Sequence, residues 1–418
     1  MLWTGRAFNS FKEMPSLRQD MQLFAGSRTI LVIGVVTFLT LLGTAISEPI
    51  RPLFIVNVGS TTLELGLIMA LSSLVSLVTR IPASALADRL GRWRLMMFSL
   101  LISVATSALF AFVYDPILFY PLMSAAALSW SIFSPISVVV VSDRSTASTR
   151  GAVMGIYFSS IGAALLAGPL LCSVLTLFMG FRELFLFSAA FPILGTALFL
   201  LKADRSDVES RFIRDDKGTA SLDSPLKGLV RILRVRNVAA MCYAQTAFAL
   251  AFGVFSTVFA IYAEETLGFT PSMIALIFSF RALTNLLMRL PSGRISDKIG
   301  RRKPVIISHA LIVAVFALLP FTQNLALLAL LIVVYGIGWG MRVAPDAALV
   351  SESVSPSDRP LALATLMTMF DLGSTLGSLL VGVTATFLSI PNLFLLCTPI
   401  LLSGSLVLFF LIHETLTH

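Results

Sequence analysis

Charge is scarce in this chain. Only 12% of its 418 residues are Asp, Glu, Lys or Arg, against roughly 25% in an ordinary soluble domain. With 57% hydrophobic residues and a mean hydropathy of +0.92, that deficit excludes an ordinary cytosolic enzyme. Cysteine is scarcer still. Cys172, Cys242 and Cys397 stand apart inside apolar runs, so they read as small apolar packers rather than as a disulfide or metal framework. No His-Glu-x-x-His and no nucleophile–base pattern occurs in any apolar run, which argues against an embedded enzyme. No Gly-x-x-x-x-Gly-Lys phosphate loop occurs either, so direct ATP drive is not expected, and no cofactor or metal is implied. The first 27 residues are mixed and polar, without the early apolar region of a secretory signal.

What is abundant is apolar runs of membrane-crossing length, about 20 residues each. Twelve can be drawn, near 29–55, 64–87, 95–114, 117–142, 151–178, 182–202, 237–262, 271–293, 304–322, 325–350, 361–388 and 392–413. A backbone in lipid must satisfy its own polar groups, so the spans are expected to be helices. An all-α integral membrane fold in a lipid bilayer follows. Loops after even-numbered spans carry Arg89, Arg92, Arg94, Arg301, Arg302 and Lys303, whereas Arg182 is the only basic residue after an odd one. By the positive-inside rule both termini are cytoplasmic, as expected for a multi-pass protein of the plasma membrane. The net charge of +8 then needs no nucleic-acid partner. The expected organisation is a cytoplasmic segment 1–28, a six-helix bundle 29–203, a linker 204–236, a second bundle 237–413 and a tail 414–418. An amphipathic surface helix near Leu226–Ile232 is compatible with the linker sequence.

The second bundle repeats the first. Arg80, Pro82, Asp88, Gly91 and Arg92 meet Arg289, Pro291, Asp297, Gly300 and Arg301 at a constant offset of 209 residues. Gly59 and Gly268, Trp130 and Trp339, Asp143 and Glu352, and Arg150 and Arg359 keep the same offset. Six spans separate the copies, so both keep one orientation. Parallel six-helix pseudo-repeats about an axis along the membrane normal are a transporter arrangement.

Ser84-Ala-Leu-Ala-Asp-Arg-Leu-Gly-Arg and Gly293-Arg-Ile-Ser-Asp-Lys-Ile-Gly-Arg resemble the signature loops of the major facilitator superfamily, and Arg150-Gly151 fits as well. The first copy departs from the pattern at Ser84 and Trp93. Gly168-Pro169 resembles half of the drug–proton antiporter motif, but Cys172-Ser173 stands where a glycine pair belongs. The resemblance implies a secondary transporter working by alternating access as its two halves rock. It also implies that Arg80, Asp88, Gly91, Arg92, Arg150, Arg289, Gly293, Asp297, Gly300, Arg301 and Arg359 form the cytoplasmic gate.

Charges inside spans are costly and therefore point to cavities or partners. Thr37, Thr40, Thr44, Glu48 and Arg51 recur at helical spacing in span 1, beside the helix breakers Pro49 and Pro52. Glu48 is either a proton carrier or the local partner of Arg51. Arg281, with Asn285 one turn on, is a cavity cation or the partner of Asp371. Arg342 and Asp346 are one turn apart and expected to pair, with Tyr335 and Trp339 on the same face. Asp371 is a second protonatable candidate, Gln245 a hydrogen-bond partner for cargo, and His309 a structural residue. Gly168, Pro169, Gly373 and Gly377 read as helix-packing positions.

The expected function is secondary transport of a small-molecule substrate, coupled to protons, by a monomer. Efflux by a drug or metabolite antiporter is favoured, and a proton-linked carrier of small organic anions is the alternative. A non-transporting receptor is the reading from another class. The differences between the halves, Arg281 against Ser72 and Glu48 against Thr257, mark where specificity is to be sought.

Overall fold

Two helix ends show how the repeat becomes structure. In this computed structural model, which describes residues 28–145, 149–209, 230–356 and 358–415, the four residues with positive φ are all glycines. They form two pairs at the 209-residue offset, Gly59 with Gly268 and Gly91 with Gly300. Gly91 and Gly300, at φ 96° and 93°, end the second and eighth helices, where a Cβ would be strained. After each of the other two glycines a threonine starts the next helix. Thr61 accepts from the Glu64 N–H while the Glu64 carboxylate accepts from the Thr61 N–H, a reciprocal cap. Thr270 accepts from the Met273 N–H ahead of Pro271.

Twelve membrane-crossing helices occur among the described residues. The first half holds α1 (Arg28–Ser47, prolonged through a 3-10 turn at Glu48–Ile50 into Arg51–Asn57), α2 (Thr62–Leu90), α3 (Arg92–Leu109), α4 (Phe119–Asp143), α5 (Arg150–Leu175) and α6 (Phe181–Lys202). The second half holds α7 (Arg236–Ile261), α8 (Pro271–Ile299), α9 (Arg302–Leu318), α10 (Leu325–Glu352), α11 (Arg359–Thr384) and α12 (Ile390–Leu411). Both expected breaks in span 1 are present, since Pro49 and Pro52 supply no N–H to the ladder and the chain tightens to a 3-10 turn there. The linker is described at Arg205–Glu209, a short helix, and again from 230. Most of the expected amphipathic segment Leu226–Ile232 lies outside the described residues.

The halves meet along two seams, α2 against α11 and α5 against α8. One end of the seams is closed far more tightly than the other. At the end remote from the Gly91 and Gly300 loops, hereafter the far end, a Cβ added to Gly66 of α2 would lie 2.3 Å from the backbone nitrogen of Gly382 on α11. The buried core is also continuous across the halves there, joining Phe54, Leu65 and Phe119 to Phe255, Phe259 and Val381. At the loop end the core divides. Ile33, Met96, Phe133 and Tyr157 belong to the first half alone, and Met241, Val305, Leu349 and Leu366 to the second alone. The molecule is therefore sealed at the far end and parted at the loop end. Large apolar side chains remain exposed on the helices, Leu201 of α6 at 76% and Phe410 of α12 at 67%, as lipid-facing residues of a membrane protein do.

Candidate functional site

Two carboxylates cross the seams to meet arginines of the opposite half. Asp371 of α11 accepts from Arg80 Nη2 at 3.1 Å, and Arg80 Nε stands 2.9 Å from the second oxygen, off the hydrogen-bonding axis. Glu48, at the 3-10 turn of α1, accepts from Arg281 Nη2 of α8 at 3.4 Å. Both contacts depart from the sequence-based pairings. Arg281 does not pair with Asp371, and Glu48 does not pair with Arg51. Arg51 instead braces the proline break, donating to the Thr44 carbonyl at 3.1 Å and to the Ser47 hydroxyl at 3.0 Å.

Arg281 is buried in an aromatic box, with its guanidinium 4.8 Å from the Phe278 ring centre, 5.5 Å from Trp339 and 5.8 Å from Phe255. Ring quadrupoles stabilise a cation that has lost its water, and its Nη1 has no hydrogen-bond partner. Trp339 therefore walls the cation as well as packing α10. Asn285, one turn on, is buried with its amide nitrogen unpartnered. The glycines of α10 let α8 approach, since a Cβ at Gly336 would meet the Arg281 carbonyl at 2.5 Å and one at Gly340 the Asn285 carbonyl at 2.4 Å.

Arg342 and Asp346 pair at 2.8 Å, as their spacing requires, inside the second half. Gln245 of α7 also accepts from Arg342, so this amide serves the ion pair. The guanidinium lies 4.2 Å from the Phe248 ring centre. Arg342 Nη1 and Asp346 Oδ1 remain unpartnered. His309 is buried on α9 and bonded to the Val305 carbonyl through Nδ1.

The first half holds a cavity of about 240 Å³ beside Glu48 and Arg51. Hydroxyls dominate its polar wall, including Thr40 and Thr44 of the span 1 stripe and also Ser103, Thr106, Ser107 and Ser188. These last four are sites that sequence reasoning missed. A lone serine in an apolar helix carries little signal, because its hydroxyl bonds its own backbone, as Ser188 does with the Phe185 carbonyl.

The signature loops form matching networks within each half. Arg92 donates to Asp143 at 2.7 Å, and its repeat mate Arg301 meets Glu352 at 3.1 Å and also Asp297. Glu209 accepts from the Arg92 N–H at 3.1 Å, and Glu414 from the Arg301 and Arg302 N–H groups at 2.8 and 3.1 Å. Each carboxylate thus caps the third helix of its own half. Partial burial disfavours the Arg301 charge, but hydrogen bonds and negative charge from Glu352 and Asp297 outweigh it and raise its pKa. The side chains of Asp88 and Arg150 lie outside the described ones. Gly293 has space around it, a Cβ there meeting only Ala344 at 3.8 Å, and Arg359 donates to the Ser351 carbonyl at 3.1 Å. Gly168, next to Pro169, packs α5 on α1, where a Cβ would lie 2.4 Å from that of Ala45. Gly377 presses α11 on α7, where a Cβ would lie 2.0 Å from the Leu250 carbonyl.

Comparison with known proteins agrees with this architecture. Multidrug resistance protein 2 of Bacillus subtilis is 24% identical over 273 residues, 64% of this chain and 66% of that protein. The multi-drug resistance efflux pump PmrA of Streptococcus pneumoniae is 22% identical over 81% of this chain and 85% of its own length. An uncharacterized MFS-type transporter of Methanocaldococcus jannaschii, MJ1560, is 22% identical over 88% and 94%. Among solved structures, the nucleoside transporter NupG superposes with a TM-score of 0.74 at 14% identity, covering 91% of this chain and 98% of NupG. A bacterial homologue of the human lysosomal transporter Spinster, inward-facing and occupied, gives 0.74 at 14% identity over 91% and 95%. The model of the Major Facilitator Superfamily matches residues 33–262 and 241–417, and with both halves so matched the chain belongs to that superfamily of membrane transporters, which are not enzymes.

Proposed function

We propose that the chain is a proton-coupled antiporter of the plasma membrane that exports a small solute, working as a monomer with both termini cytoplasmic. The observation that carries this reading is that Glu48 and Asp371 are each held by an arginine of the opposite half. A proton on either carboxylate removes the charge that holds its arginine, which weakens the seam and changes the balance between the two rocking states. In this orientation the sealed far end faces outward, and the parted loop end opens to the cytoplasm, where export begins. The direction draws also on the two relatives named for multidrug resistance. Asp88, Arg150 and Arg359, with the Arg92 and Arg301 networks, would then belong to the cytoplasmic gate.

A second reading, a proton-linked carrier of small organic anions, is favoured by Arg51 and Arg289. Neither forms an ion pair with a carboxylate among the described residues, and each has an unpartnered Nε.

Flux into and out of proteoliposomes under an imposed pH gradient tests both, across lipophilic cations, neutral drugs and small carboxylates. Glu48→Gln and Asp371→Asn are expected to abolish the response to the gradient while leaving solute exchange without a gradient. Unchanged pH-driven flux in both variants overturns the coupling assignment. An unchanged cargo profile in Arg281→Gln makes that residue structural.

A further inference from the structure

The hydroxyl lining of the first-half cavity is not repeated in the second half, although the two halves repeat. At the 209-residue offset, Thr40, Ser103, Thr106 and Ser107 correspond to Ala249, Ile312, Val315 and Phe316. The four replacements are all buried in the second half, where Phe316 also packs edge-on against Tyr335 and Phe394. One half has filled this space with apolar side chains. The other keeps it open and lines it with hydroxyls. At about 240 Å³ the cavity has room for a small polar solute.

The wall has both kinds of hydrogen-bonding group. Thr44, Thr106, Ser129 and Ser188 donate their hydroxyl protons to backbone carbonyls, which leaves their oxygens as acceptors. The hydroxyls of Thr40, Ser103 and Ser107 have no hydrogen-bond partner among the described residues and can donate. Thr40 is buried at 4% exposure with its hydroxyl unpartnered. Trp130, Phe110 and Phe133 supply an aromatic side. The charge balance is set by Arg51. The one carboxylate of the wall, Glu48, is engaged by Arg281, whereas Arg51 has an unpartnered Nε and forms no ion pair with a carboxylate among the described residues.

We infer that this cavity is a binding site for a small polyhydroxylated monoanion, its carboxylate on Arg51 and its hydroxyls on the serine and threonine wall. Mixed donors and acceptors beside aromatic faces suit a chain of C–OH groups, and the single surplus cation suits one negative charge. Glu48 stands at once in the cavity wall and, through Arg281, on the seam between the halves. The inference deepens the anion-carrier reading and rests on it only for how the ligand would be moved. Binding itself is measured without flux, so either can fail alone.

Gluconate, glucitol and N-methylglucamine share a hydroxylated six-carbon chain and carry charges of minus one, zero and plus one. Isothermal titration of each into the purified full-length protein in nanodiscs is the test. Gluconate is expected to bind tightest, glucitol more weakly and N-methylglucamine not measurably. Arg51→Gln is expected to lower gluconate affinity about tenfold or more, leaving glucitol unchanged. Ser107→Phe, which copies the second half's own residue, is expected to abolish both while the melting temperature holds or rises. No binding of any of the three sugars to the wild type overturns the inference. So does N-methylglucamine binding as well as gluconate, or gluconate affinity that survives Ser107→Phe.

Discussion

Arg80 and Asp371 stand 291 positions apart in the chain and meet across the α2–α11 seam, Nε to Oδ2 at 2.9 Å. Arg80 remains 34% exposed on the open side while Asp371 is buried to 9%. The pair therefore ties together the state in which the far end is sealed. Asp371→Asn keeps the shape and removes the charge. Its expected effect on that state is a loss of about 1–2 kcal/mol, below the 3–5 typical of a fully buried pair because Arg80 stays partly solvated. A cysteine placed at buried Leu65 reports the opening of the far end. Labelling by an impermeant thiol reagent added at that end should rise about 5- to 30-fold in Asp371→Asn. No rise would show that the pair does not hold the seal.

Gly66 and Gly382 bring the two backbones together on the same seam. A Cβ at position 66 would stand 2.3 Å from one backbone nitrogen and 2.9 Å from the Ser378 carbonyl, neither of which can rotate away. Gly66→Ala is expected to disfavour the sealed state by about 1–3 kcal/mol through overpacking. The Leu65 probe should again label faster, and the folded helix content should be unchanged by circular dichroism. Unaltered labelling would mean that the helices separate here at no cost.

These two contacts also mark where sequence reading stops. The twelve spans, the duplicated halves and the Arg342–Asp346 pair were legible because each rests on spacing along the chain, hydropathy over a span or one helical turn. Arg80 was placed in the signature loop because the motif begins with it, yet it acts inside the span on a residue of the other half. No period relates positions 80 and 371, or 48 and 281, so their pairing needed the fold. Gln245 looked like a cargo ligand for the same reason: an amide in an apolar run announces a partner without naming it, and the partner is Arg342. Outside the span 1 stripe, the cavity hydroxyls are silent individually and become visible only when both halves are overlaid.

The caps by Glu209 and Glu414 tie the segment after the sixth helix of each half to the third. Glu414→Ala is expected to free the Arg301 and Arg302 amides, at a cost of about 0.5–1 kcal/mol to the first turn of α9. Hydrogen exchange should quicken at those two amides and not at Arg92, whereas Glu209→Ala should do the reverse. Equal exchange at both sites in either variant would break the assignment.

Among the described residues, Arg342 and Asp346 are the most buried ion pair of the second half, exposed to 3% and 7%. Removing the acid alone leaves a buried guanidinium with Gln245 and the Phe248 ring as its remaining partners. Asp346→Ala should therefore lower the melting temperature strongly, with a loss of about 3–5 kcal/mol. Replacing both charges by apolar residues of similar volume, Arg342→Met with Asp346→Leu, removes the uncompensated charge along with the attraction. That double variant should melt closer to the wild type than Asp346→Ala does, a non-additivity that a double-mutant cycle measures. If the double variant retains flux as well as fold, the pair is scaffolding. If it folds and no longer responds to the pH gradient, Asp346 joins Glu48 and Asp371 among the groups proposed to carry protons. Additive destabilisation would instead show that the two charges do not depend on each other, contrary to their 2.8 Å contact.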